Sequence, residues 1–239
     1  MAGVAYDYYR GWINGVKWQL NNVKRLADSN INPAKGYTAN VSAMYEENDF
    51  ITGLNLSDAG TLVADFADNN TWRINLDGSY HISIPYTNRW TVSLGTQIGW
   101  LSNDNVDPFF NFFGGGLIGM KGYPFYSIEG TRQLISDISL RIPLFTQKHI
   151  QLGWFILQNS VLGFVYQTGN AWNGDFDENN LLHSSGIQWR FNGFSFYNFP
   201  TAIELEMHRG LDKFEKTINE ETFAYGDEDR YYFKLLFGF

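Results

Sequence analysis

The sequence predicts an all-β chain, an antiparallel transmembrane β-barrel of about ten strands. Three observations carry that expectation. Apolar and polar residues alternate with a period of two over long runs, the pattern of a sheet with one apolar face. Aromatics make up 18% of the 239 residues, with 8 Trp, 14 Tyr and 20 Phe, and several cap the ends of those runs. Short turns and long loops alternate between the runs, as in barrels that thread a membrane. No run of ~18 apolar residues occurs, so a transmembrane helix is not expected. The mean hydropathy is slightly polar, which is how alternating strands hide a membrane face.

Composition narrows the function classes. The net charge is -8, and no concentrated basic surface is present, which argues against nucleic acid as a partner. Cysteine is absent, so neither disulfides nor thiol chemistry contribute. That fits an exported bacterial protein. The first residues, Met1 to Arg10, lack a basic region followed by an apolar core and do not read as a signal peptide.

Taken in order, Val4 to Tyr9 and Val16 to Val23 are candidate strands, the second with Val16, Trp18 and Leu20 on one face. Asn, Pro and Gly mark a turn from Ser29 to Gly36. Tyr37, Ala39, Val41, Ala43 and Tyr45 then alternate with polar residues, and residues 47 to 70 read as a long acidic loop. Trp72, Ile74, Leu76, Tyr80, Ile82 and Ile84 form the next apolar stripe. After the turn Pro85 to Asn88 comes the cleanest run, Trp90, Val92, Leu94, Ile98 and Trp100, with tryptophan at both ends as in an aromatic girdle. Beyond residue 131, Leu134, Ile138, Leu140, Ile142 and Leu144 oppose Gln133, Asp137, Ser139 and Arg141. A turn from Thr146 to His149 leads to an apolar stretch, Leu152 to Leu157, and then to a strand from Val161 to Gly169. Asn173 to Asn180 is a polar loop, Ile187 to Asn192 a strand and Gly193 to Pro200 an aromatic turn. Ile203, Leu205 and Met207 alternate with Glu204, Glu206 and His208, which share the polar face with Arg190 and Lys234 of the flanking strands, possible partners for the glutamates. An acidic loop spans Asp212 to Asp229, and the last strand sets Tyr231, Phe233, Leu235, Phe237 and Phe239 on one side. A closed barrel leaves no such stripe as an aggregating edge.

One stretch stands apart. Phe112 to Gly130 is too rich in glycine and aromatics for a helix and too long for a hairpin turn. It carries too many large apolar groups for disorder, so it reads as functional. Its Gly115, Gly116 and Met120-Lys121-Gly122-Tyr123, followed by a strand with Leu140-Arg141-Ile142-Pro143-Leu144, resemble the BamA-like outer-membrane assembly barrels, the bacterial surface antigen superfamily. The C-terminal aromatic strand ending in Phe239 is similar to the sorting signal of outer-membrane proteins.

The resemblance implies a Gram-negative outer-membrane location and a role in inserting or translocating proteins there. It implies no cofactor, metal or enzyme activity. Implied partners are outer-membrane lipid and lipopolysaccharide, client outer-membrane proteins and assembly lipoproteins. The alternative is a passive barrel, an anchor or pore for an upstream soluble domain. The likeness covers the whole chain but matches the last ten strands of a sixteen-strand barrel. Residues 1–239 are therefore expected to be one barrel domain, the C-terminal part of a longer protein, or else a reduced barrel that closes by itself. With the C-terminus in the periplasm, the loops near 47–70, 103–131, 173–182 and 210–229 face outside. The family threads the long loop back into its barrel and pairs its basic tip with carboxylates on the inner wall. Here that tip is Lys121 rather than arginine, Ser139 stands at a glutamate position and Gln167 near an aspartate position. Asp137 is the expected substitute partner, and lysine cannot make the planar fork of arginine.

Other motifs have plainer readings. Gly114 to Gly119 matches G-x-G-x-x-G but no helix start follows, so it reads as tightly packed backbone. Asp175, Asp177 and Asn179 open like a calcium loop, yet Asn180 and Gly186 stand at two required positions, leaving a solvated acidic loop. Glu204, Glu206 and His208 offer metal-ligand chemistry but read as a polar lumen wall. His81, His149 and His183 match no serine–histidine hydrolase pattern.

Overall fold

Period-two runs become strands because each buries or exposes one face as a unit. The computed structural model describes residues 7–24, 32–58, 60–196, 199–218 and 220–238. The strands are β1 (Tyr9–Asn21), β2 (Gly36–Leu56), β3 (Leu62–Asp68), β4 (Thr71–Ser83), β5 (Thr91–Leu101), β6 (Phe112–Phe113), β7 (Glu129–Gly130), β8 (Arg132–Phe145), β9 (Ile150–Leu152), β10 (Phe155–Trp172), β11 (Leu182–Ser195), β12 (Phe199–Gly210), β13 (Phe214–Ile218), β14 (Glu221–Tyr225) and β15 (Asp229–Phe237). The fold is all-β. Its main sheet is antiparallel and 11-stranded, with β1-β2-β4-β5-β8-β10-β11-β12-β15 as its continuous path, β3 added to β2 and β9 to β10. Among the described residues no helix is long and apolar enough to cross a membrane, which does not bear on crossing by strands.

Nine strands lie on that path, against about ten expected. Among the described residues of the stretch from Val4 to Val23 there is one strand. It runs from Tyr9 to Asn21 and pairs with β2 from Tyr9–Phe50 to Asn21–Thr38, while residues 4–6 lie outside the described ones. Gly11 and Gly15 interrupt the side-chain pattern but not the hydrogen-bond ladder. Leu152 to Leu157 is not a separate strand. β9 turns back at Gly153 into β10, which runs unbroken to Trp172. Register shifts at Leu157/Asn159 against β11 and Ser160/Val161 against β8 change the phase of alternation, and in the sequence that change looks like a break. The two acidic "loops" contain hairpins: β2 continues to Leu56 and returns as β3, and β13 pairs with β14.

The long connections 102–131, 173–181 and 211–228 and the β2–β3 hairpin all lie at one end of the sheet, and 84–90 and 146–149 at the other. Strands β1 and β15, the two edges, both run from the long-loop end to the short-turn end.

The faces are inverted relative to a water-soluble sheet. Trp72, Ile74, Leu76, Tyr80 and Ile82 of β4, and Leu94, Ile98 and Trp100 of β5, are exposed. On the opposite face Ser93, Ser139, Gln167, Glu204, Glu206 and His208 are buried. Two buried apolar clusters form where the 102–131 connection folds over the polar face. Met120, Tyr123 and Ile128 join Ile135, Ala171 and Leu182 in one cluster. Val106 and Phe110 join Leu101 in another, with Tyr9, Phe50 and Phe112 against it.

Candidate functional site

The site is this re-entrant segment and the polar wall it covers. Its curl begins at Gly116, whose φ of +71° is the left-handed conformation that glycine takes without strain. The Met120 amide donates to the Gly114 carbonyl (2.7 Å) and the Gly116 amide to the Tyr123 carbonyl (2.9 Å), while Gly115 and Met120 form a parallel bridge. The curl drives Met120 and Tyr123 to full burial. The Tyr123 hydroxyl then donates to the His183 carbonyl (2.8 Å) and lies 3.1 Å from that of Asp212, which ties the curl to β11 and to the end of β12. Burial pushes the Tyr123 phenol above its ordinary range. At Gly122 a Cβ would stand 2.6 Å from the Gly210 nitrogen and 2.7 Å from Ser184 Cβ, so only glycine lets the tip lie this close to β11 and β12.

That approach delivers Lys121 to Glu206. The Lys121 ammonium donates to Glu206 Oε2, and its amide donates to Gln167 Oε1 at 2.9 Å. Gln167 Nε2 donates to the Gly119 carbonyl at 3.0 Å, so one side chain brackets the tip on both sides. Tyr232 of β15 donates to the Lys121 carbonyl at 2.8 Å. Burial pulls the Lys121 ammonium below the ordinary lysine range, and Glu206 opposes that shift.

Glu206 also accepts from Gln188 Nε2 (2.9 Å), from Lys234 and from His208 Nε2 (2.7 Å). Glu204 accepts from Arg190 and, at 3.2 Å, from Lys234. Both glutamates are nearly inaccessible, at 1% and 4% exposure, and buried carboxylates persist only when charge and hydrogen bonds meet them on several sides. Arg190 and Lys234 thus pair with these glutamates as the alternation expects.

Asp137 is not the partner of Lys121. Gln167 and Tyr123 draw the tip towards β10–β12, away from β8, and Asp137 projects past Gly95 instead. With Ser139 and Arg141 it lines a cavity of about 190 Å³ beneath the tip. Of the expected inner-wall residues, Gln167 touches the loop and the other three form the wall of that cavity.

A second anchor went unforeseen. Arg73 of β4 donates from Nε to Glu46 of β2 (2.7 Å) and from Nη2 to the Phe110 carbonyl (2.7 Å), and its guanidinium lies 5.0 Å from the centre of the Phe112 ring. Tyr9 donates to Asn48 at 2.8 Å beside it. The sequence places Arg73 and Glu46 on the polar phase of neighbouring strands, but nothing in it says that the loop passes there.

Other motifs settle into structural roles. Gly116–Ile118 is a single 3-10 turn with no helix behind it. Asp177 accepts from the Asn179 amide (3.0 Å) and from Asn180 Nδ2 (3.1 Å), so its carboxylate organises its own turn. Among the described residues no three His, Asp or Glu side chains converge as a metal site. Tyr231, Phe233, Leu235 and Phe237 form an exposed stripe on β15, and Phe239 lies outside the described residues. No protein-family model matches this chain, and no curated protein matches it.

Proposed function

We propose that the chain is an outer-membrane β-barrel domain of the BamA-like kind, working in the insertion or translocation of proteins at the bacterial outer membrane. The observation that carries the reading is the re-entrant loop whose basic tip, Lys121, is pinned to a buried carboxylate on the polar wall. A loop anchored in this way shapes the interior of a barrel rather than its rim. The exposed apolar face supports the membrane part of the reading, since a patch of that size on a sheet needs a covering phase. Closure is part of the proposal. Because β1 and β15 run in the same direction, antiparallel closure takes an odd number of further strands between them. The exposed β15 stripe supports handling by an assembly machinery, and lipid, lipopolysaccharide, client barrels and assembly lipoproteins are the partners that follow.

The rival is a passive anchor or pore. A reconstitution separates the two. The native full-length protein is placed in liposomes and unfolded client barrel protein is added with a periplasmic chaperone. Protease-protected, heat-modifiable client should accumulate faster than in empty liposomes. Equal rates would sink the assembly reading and leave the anchor.

A further inference from the structure

We infer that the cavity beneath the loop tip is a binding site for one small oxyanion, a carboxylate or a phosphate group, held by Arg141 and Ser139. The inference stands on the geometry of the wall and does not depend on the assembly reading. The cavity holds about 190 Å³, roofed by Ile118 and Gly119 of the loop and walled by Ser139, Arg141, Gln167 and Gln188. Two of its donors have nothing to donate to. Arg141 Nη1 is buried with no hydrogen-bond partner, and so is the Ser139 hydroxyl, in a residue 4% exposed. They sit two residues apart on one face of β8, so a single group over that face reaches both. Across the β8–β10 ladder Arg141 faces Gly163, where a Cβ would crowd Gln188 at 3.3 Å, so glycine keeps a side chain out of the space beside the guanidinium.

The charged groups around the cavity point the same way. Among the described residues, the charged side chains that line it are Lys121, Arg141 and Asp137, and Lys121 is already paired with Glu206. Asp137 lies four residues along β8 and makes no ion pair with Arg141, so its charge is felt there without taking up the guanidinium's Nη1 donor. A buried guanidinium with unused N–H groups is costly, and a planar oxyanion is the complement of its fork. The same Asp137 disfavours a second anion, and the cavity is smaller than the ~300 Å³ at which drug-sized ligand pockets begin.

The test is thermal unfolding of the folded chain in nonionic detergent, followed by tryptophan fluorescence. Sodium phosphate and sodium acetate are each titrated against sodium chloride at constant ionic strength. The wild type should show a saturable rise in midpoint, about 5 °C at a hundredfold excess over Kd, and the tighter of the two anions identifies the class. Arg141→Gln should abolish the rise. Ser139→Ala, which removes one hydroxyl, should fold as the wild type and weaken binding about tenfold; it carries the test alone if Arg141→Gln does not fold. The absence of a saturable rise overturns the site, since water alone then fills the cavity. So does a rise of equal size in both variants, which marks a general salt effect.

Discussion

The two halves of the sheet treat their polar faces differently. From β8 to β15 the polar face is covered: the loop tip lies on it, Glu204, Glu206 and His208 are almost inaccessible, and the ion pairs there share partners. From β1 to β5 much of it stays open around a cavity of about 520 Å³ edged by Lys17, Gln19, Asn75 and Asp77, and β1 is exposed along nearly its whole length. The covered half depends on charges that cannot be removed singly, whereas the open half, apart from the Arg73–Glu46 anchor, carries charges such as Lys17 that water already satisfies. The difference teaches where substitution should matter.

The largest effect should come from Lys121→Glu, which sets two carboxylates together in a buried site. Breaking a buried pair costs about 3–5 kcal/mol, so the variant should lose its compact, heat-modifiable form on electrophoresis. Wild-type behaviour would mean that the tip is not pinned at Glu206. Arg73→Ala tests the second anchor, where the Arg73 and Glu46 side chains are 17% and 7% exposed. A loss of about 2 kcal/mol is expected from the unpaired carboxylate and carbonyl, read as a lower denaturant midpoint. An unchanged midpoint would confine the loop's anchorage to the covered half. Tyr123→Phe keeps the ring in its cluster and removes only the hydroxyl that links it to His183 and Asp212. About 1–2 kcal/mol should be lost, with faster proteolysis within 211–228. Lys17→Ala in the open half should shift stability by less than about 0.5 kcal/mol. A larger loss there would mean that the β1–β5 cavity is filled by something that Lys17 holds.

Much of this architecture was legible in the sequence because a strand's side-chain period is local. Trp90 to Trp100 announces β5 and the faces of Val92 and Ile98 without reference to any neighbour. Legibility failed where pairing, not alternation, defines the strand. The bulges in β10 shift the phase between Leu157 and Val161, and the end of β2 from Leu54 to Leu56 is exposed on both faces and therefore has no reason to alternate. In the site, Gly115, Gly116, Met120, Lys121, Gly122 and Tyr123 could be singled out as a unit, and the pairing of Arg190 and Lys234 with Glu204 and Glu206 followed from adjacent strands sharing a phase. The choice of Glu206 over Asp137 was not legible. It depends on how far the tip leans, which Gln167 and Tyr123 fix through contacts 46 and 60 residues away in the chain. Arg73 was missed for the same reason.

The length of β2 has a mechanical consequence. At ~3.4 Å per residue, its 21 residues make a continuous rod of roughly 70 Å. The far end stands free as the hairpin with β3, and the middle carries Glu46, the residue that grips Arg73 and through it the loop. A hydrogen-bonded strand resists stretching along its axis but bends at a bulge, and the register shift between Ile51 and Gly53 lies between tip and grip. A pull on the tip is thus transmitted to the loop anchor, while a sideways push is absorbed at the bulge.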